Sequence, residues 1–166
     1  MPCACKKLAI PVPQPEQWGP IMWSVLHGLA ERSGRLTSDL QKDDERRAWD
    51  LLFKTLEKSI PCDHCRKHYG SWYTARKPSL PEDYTQFHEY VRKWLYDLHE
   101  DVNQRTKKTP FPYEKMEETY KNLKMQNLIN QLRLLVKTNV IGGSVPIMAW
   151  TSFINCVLKI KSVYGL

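Results

Sequence analysis

The chain has 166 residues, 42 % of them apolar, with 6 Trp, 8 Tyr and 4 Phe, which fits one compact domain with a real core and excludes a disordered polymer. Its formal charge is +7, but Lys and Arg are scattered and the densest short run is Arg105-Thr106-Lys107-Lys108. The pattern reads as a basic solvated face, not as a primary nucleic-acid surface. Five cysteines are too few for a disulfide-stapled scaffold of this size.

Residues 1–16 read as a mobile N-terminal arm: Pro2, Pro11, Pro13 and Pro15 favour extended geometry, there is no apolar period, and no secretory leader is visible. A first helix is expected from about Gln17 to Ser33, with Trp18, Met22, Val25, Leu26, Leu29 and Ala30 as its apolar stripe. Gly34 and the charged Asp39–Asp44 stretch read as a connection to a second helix ending near Ser59. Pro61 stops that pattern and puts Cys62 at the start of a third helix, to about Arg76. The strongest period runs from Tyr84 to Arg105 through Phe87, Val91, Trp94, Leu95, Leu98 and Val102. Four such helices with short joins predict an all-α, four-helix bundle.

Thr109-Pro110-Phe111-Pro112 reads as a rigid exit. A helical period then resumes from Tyr113 to Thr138, breaks at Gly142-Gly143, and ends in an apolar helix from about Val145 to Val163. These residues, 113–166, form a helical C-terminal extension to the 17–112 bundle. Val140–Leu158 approaches the length of a membrane span, but Ser144, Pro146, Thr151, Ser152 and Asn155 favour a packed helix or partner surface.

The most informative motif is Pro61-Cys62-Asp63-His64-Cys65. With no second cysteine pair nearby, it reads as a redox dithiol, as half of a zinc site completed by His64 and His68, or as two structural thiols. At a helix start, free backbone N–H groups stabilise a thiolate, and His64 and Arg66 add positive charge. A thioredoxin-like fold needs alternating strands, and none is legible. Trp18, Trp23, His27, Tyr69, Trp94 and His99 offer aromatic surfaces for a bound ring or for ordinary core packing. Cys3-Ala4-Cys5 is a second pair, on the arm, and reads as an electron carrier or as incidental terminal cysteines. Cys156 reads as a buried free thiol, with a subunit-linking disulfide as the alternative.

Three blocks together resemble the Erv/ALR family of FAD-linked sulfhydryl oxidases: Gly19-x-x-x-Trp23-x-x-Leu26-His27, Cys62-x-x-Cys65-x-x-His68-Tyr69, and His99-x-x-Val102-Asn103 followed by Lys108-x-x-Phe111. The resemblance covers about residues 17–112. It implies a helical bundle holding FAD, usually in a homodimer, which oxidises protein dithiols and passes the electrons to oxygen as hydrogen peroxide. It also implies Cys65 beside the flavin ring, Cys62 as the interchange sulfur and Cys3/Cys5 as a shuttle. Trp18, Trp23, His27, Tyr69, His99, Asn103 and Lys108 would then line the cofactor. Glu100 stands where many members carry Asn, and the family's additional structural disulfide after the FAD motif has no cysteines here. With the extension, these departures make the chain similar to the sulfhydryl oxidases of large DNA viruses, which implies action in the cytoplasm, virus factory or virion. The rival reading is a zinc-supported basic helical interaction module.

Overall fold

A computed structural model describes residues 11–166; Cys3 and Cys5 lie outside the described residues. Every regular element among the described residues is helical. Helix α1 spans Pro15–Ala30, opened by Pro at its first position and by the Gln17 side chain, which accepts from the Gln14 N–H at 2.9 Å. Helix α2 spans Asp39–Ser59, so the acidic stretch read as a connection is instead the opening of the helix. Its carboxylates suit the positive N-terminal end, and Lys42–Asp39 and Arg47–Asp44 pair one turn apart. An apolar period has no hold on such an exposed turn.

Helix α3 spans Asp63–Ala75, with Cys62 as its N-cap in extended conformation. After a 3-10 turn at Tyr84–Gln86, α4 runs from Phe87 to Arg105. Its end is a double turn: Lys107 takes a positive φ of 56°, Lys107 N–H donates to Gln104 O, and Lys108 N–H donates to Asn103 O at 2.8 Å. That closure brings Lys108 back to the α4 terminus.

The period from Tyr113 to Thr138 is not one helix. A 3-10 turn at Tyr113–Lys115 leads into α5 (Met116–Tyr120), and α6 (Met125–Ile141) follows after a corner. The corner buries both Met116 and Met125, and it seats on Gly28 of α1, where a Cβ would lie 2.4 Å from Met125 Cε. Nine residues apart, the two methionines would fall on opposite faces of a continuous helix. Helix α7 spans Ile147–Val163, after the break expected at Gly142-Gly143.

The extension lies on the bundle. Helix α6 runs antiparallel to α1, from Met125 at Gly28 to Asn139 at Pro13. Helix α7 runs antiparallel to α2, joined where Trp49 Nε1 donates to Tyr164 Oη at 2.7 Å and Tyr164 donates to buried Glu45 at 2.5 Å. The side chains of both parts share one apolar cluster, with Trp49, Phe53, Phe87, Leu95, Ile129 and Phe153 fully buried in it. Cys156 is a buried free thiol, as expected, and burial pushes its pKa up. No described helix is long and apolar enough to cross a membrane.

Candidate functional site

Cys62 and Cys65 form a disulfide with an S–S distance of 2.16 Å. Pro61 ends the preceding helix, and Cys65 N–H donates to Cys62 Sγ at 3.2 Å. A free N–H at the start of α3 therefore faces Cys62 Sγ and can stabilise negative charge there once Cys62 is released. Both sulfurs are engaged with each other, and His68 is engaged elsewhere: its Nε2 donates to Asp101 Oδ2 at 2.5 Å. Burial opposes ionisation of Asp101, but the bonds from His68 and Arg105 hold its carboxyl below the usual range. The zinc alternative thus lacks its thiolates and one of its histidines, and no group of three potential ligands stands together among the described residues.

The His68–Asp101 pair does more than fill a valence. It links the residue three after Cys65 to the residue two after His99, which places the redox helix beside the helix that carries the third motif. On α4, His99 stacks on Trp23 of α1 with ring centroids 4.0 Å apart and planes 10° from parallel. His27 Nε2 and His99 Nδ1 share a hydrogen bond at 3.0 Å. Tyr120, from α5, closes over His27 at 4.8 Å. One turn beyond His27, Glu31 pairs with Arg92 at 2.8 Å and fixes α1 against α4.

Burial dominates the charge state of the two imidazoles. It drives the pKa of His27 well below 6.5, aided by His99 and Arg92. His99 is lowered to about 4, by burial first and by the Lys108 ammonium second. Both rings are therefore neutral near pH ~7, one donating and one accepting in their shared bond. His27 Nδ1 and Trp18 Nε1 are buried without a partner.

Trp23, His27, His99 and, through the α4 closure, Lys108 are thus brought together. Asn103 sits at the same end, buried, with Nδ2 donating to Glu100 at 2.7 Å. Glu100 also accepts from Phe111 N–H at 3.1 Å, so the residue that departs from the family pattern organises the α4 exit. Tyr69 belongs to a different group. Its hydroxyl donates to Phe53 O at 2.6 Å and its ring meets Trp94 edge-on; burial raises its pKa well above 10. Trp18 is buried on α1. Tyr120 falls within the Tyr113–Thr138 period and in none of the three motif blocks; only the folded corner after the short α5 brings it to His27.

The arrangement fits a cofactor with a planar heteroaromatic part and phosphates, as the flavin dinucleotide implied by the resemblance would have. Neutral stacked rings supply faces, buried unpaired N–H or N atoms supply hydrogen bonds, and Lys108 supplies a cation for phosphate. The Trp23–His99 spacing admits no further ring between those two planes, so a bound ring must meet the stack from outside or part it.

Residues 20–121 match the family model described as Erv1 / Alr family. An FAD-linked sulfhydryl oxidase of African swine fever virus is 30 % identical over 135 residues, covering 81 % of this chain and 97 % of the viral protein. A putative FAD-linked sulfhydryl oxidase of frog virus 3 is 33 % identical over 98 residues, covering 57 % of this chain and 59 % of that protein. The mitochondrial FAD-linked sulfhydryl oxidase of Saccharomyces cerevisiae is 23 % identical over 110 residues, 66 % of this chain and 53 % of the yeast protein. No solved structure matches significantly. A disulfide at a helix start, tied to a helix bearing a Trp–His stack, with matches of this extent, places the chain in the Erv1/Alr family.

Proposed function

We propose that the protein is an FAD-dependent thiol oxidase that forms disulfides in protein substrates and yields hydrogen peroxide from oxygen. The observation that carries this reading is the Cys62–Cys65 disulfide on α3, linked through His68 and Asp101 to the helix that presents His99.

A substrate or shuttle thiolate attacks Cys62 Sγ, and Cys65 leaves as a thiolate. Resolution of the mixed disulfide releases Cys62, whose charge is met by the Cys65 N–H and the α3 terminus. Cys65 is assigned the position beside the flavin ring. When bound, the flavin takes the electron pair from the reduced cysteines and transfers it to oxygen. Trp23, His27 and His99 hold its aromatic part, with Asn103 at the same end and Lys108 assigned to phosphate; Trp18 and Tyr69 are assigned to the cofactor by the resemblance, apart from this stack. Cys3 and Cys5 relay electrons from protein dithiols to Cys62.

Residues 17–112 form the cofactor-holding bundle and 113–166 the extension. The viral relatives support an origin in a large DNA virus and a site of action in the cytoplasm, virus factory or virion of an infected cell. A homodimer is the proposed assembly.

The test is optical. Purified protein is expected to be yellow, with a flavin band at about 450 nm that bleaches under anaerobic dithiol. Cys65→Ser should keep the band and lose the bleaching. A colourless protein with stoichiometric zinc refutes the reading.

A further inference from the structure

The extension is fastened to the redox turn at two points. Asn139, near the end of α6, donates from Nδ2 to Pro61 O at 3.5 Å. Arg66 Nη1 bridges Ile60 O at 2.7 Å and Ser144 O at 2.8 Å. The turn between α6 and α7 is thereby held against the residues that flank the Cys62–Cys65 pair.

Beside that turn an open groove of about 1060 Å³ lies between α3, the end of α2 and the start of α7. Lys67, Gly70 and Thr74 line the α3 wall, Met148 and Ala149 the α7 wall. Arg66 stands at the redox end and Ala75 at the far end, a wall about 13 Å long at the helical rise, or about four residues of extended chain. Residues at this spacing share one face of α3, whereas Tyr69 and Trp72 meet Trp94 of α4. One face of the redox helix thus serves the cofactor end of the bundle, and the other opens to solvent.

The lining has a definite chemistry. Lys58, Arg66 and Lys67 bring three cations against one carboxylate, Glu57. Asp63 pairs with Lys67 at 2.9 Å and reaches Arg66 at 3.5 Å, but Lys67 and Asp63 are 77 % and 68 % exposed, so the pair contributes little and yields to an incoming carboxylate. At the α7 side the surface is apolar: Met148 is 75 % exposed, Ile147 64 % and Ile141, across the turn, 63 %. Other large exposed apolar side chains among the described residues, such as Leu40, Leu51 and Leu134, stand on α2 and α6 away from this turn. Single exposed apolar residues are ordinary, whereas a cluster edged by charge marks a binding surface.

We propose that this groove seats the polypeptide that flanks the dithiol of a protein substrate, and that it favours a flank with apolar and acidic side chains. The proposal rests on the thiol-oxidase reading. A thiolate carried by a protein must reach a sulfur of the disulfide, so the residues next to it lie on the surface around Cys62, and the groove is continuous with that surface through Arg66. Helix α7 lies outside the matched residues 20–121, so the seat belongs to the extension.

The probes are two synthetic peptides with the same Cys-x-x-Cys dithiol, one flanked by Leu and Glu and the other by Leu and Lys, with dithiothreitol as the small dithiol. The full-length holoenzyme should show a KM for the Glu peptide about three- to tenfold below that for the Lys peptide, the worth of a few exposed charge pairs. Lys58→Glu should remove most of that difference. Met148→Ser should raise KM for both peptides by about three- to tenfold. In both variants kcat, and the oxidation of dithiothreitol, should change less than about twofold. Equal KM for the two peptides on the wild type, variants that move neither KM, or a loss shared with dithiothreitol overturns the proposal.

A second measurement needs no turnover. Fluorescence anisotropy of the Glu peptide, with Ser in place of both Cys, should report binding to the wild type that Met148→Ser weakens. A wild type that binds this peptide but oxidises none of the three probes refutes the thiol-oxidase reading, and the substrate role of the groove with it. One that oxidises dithiothreitol but does not bind the peptide overturns the groove alone. Conversion of a dimer to a monomer by Met148→Ser, with peptide binding unchanged, gives the apolar cluster to a second copy of the chain and also overturns the proposal.

Discussion

Neutral His27 and His99 make this fold acid-sensitive over a window fixed by their displaced pKa values. In the unfolded chain an imidazole titrates near pH ~6.5; in the folded protein His99 is lowered to about 4 by burial and the Lys108 charge, and His27 lies well below its ordinary value. Between those two values the unfolded chain binds more protons than the folded one, so stability rises with pH across the window and falls as the medium is acidified. For His99 alone, lowering the pH from about 7 to about 5 costs roughly 2 kcal/mol, and the full loss below about 4 is roughly 3 kcal/mol. His27 adds in the same direction.

The assay is urea unfolding of wild type and His99→Gln at about pH 7 and about pH 5, with flavin concentration held fixed because a bound ligand shifts apparent stability. Gln stays neutral at both values and keeps a partner for His27. The wild type should lose about 2 kcal/mol more than the variant between the two conditions. Equal losses would mean that His99 does not enter the fold as a buried neutral base, and the reasoning fails.

Three further outcomes follow from single contacts. Tyr164→Phe removes the hydroxyl between Trp49 Nε1 and Glu45 and should lower stability by about 1–3 kcal/mol in chemical denaturation; an unchanged midpoint contradicts that link between α7 and α2. Lys107→Gly relieves a positive-φ residue at the α4 closure and should raise stability by about 1 kcal/mol, read as a higher Tm. Trp23→Ala removes one plane of the stack on His99 and should let flavin separate from the protein on gel filtration, whereas full retention would remove Trp23 from the cofactor site.

What the sequence revealed depended on how local the determining contact is. Pro61 and the cysteine spacing put the disulfide at a helix start without reference to distant residues, and the α4 stripe from Phe87 to Val102 repeats often enough to fix its own helix. The glycine pair at 142–143 punctuates the chain by itself. The corner at 121–124 depends on Gly28, about ninety residues away in the chain, so no local period could show it. The opening of α2 is stabilised by charge and not by burial, which hides it from an apolar pattern. In the site, Trp23, His27 and His99 were legible as motif positions, and the fold brings them together. Tyr120 and Asn139 carry no local signal, because each acquires its meaning from a partner on α1 or from the turn before α3.

The same dependence on distant partners says what the extension does for the bundle. The resemblance implies a further structural disulfide after the FAD motif, for which this chain has no cysteines; such a bridge typically contributes about 2–4 kcal/mol. Here Ile129, Leu132 and Val136 of α6 and Phe153, Val157 and Ile160 of α7 are all fully buried, and burying one such side chain contributes about 1.5–3 kcal/mol. Against a net stability of roughly 5–15 kcal/mol for a domain, two of these side chains already match the missing bridge, and losing all of them leaves α1 and α2 with open apolar faces. A chain ended at Pro112 should therefore aggregate or unfold without a cooperative transition, even with FAD supplied in excess. A soluble 1–112 fragment that holds flavin and unfolds in one sharp step would show that α6 and α7 are attached to a bundle that stands without them.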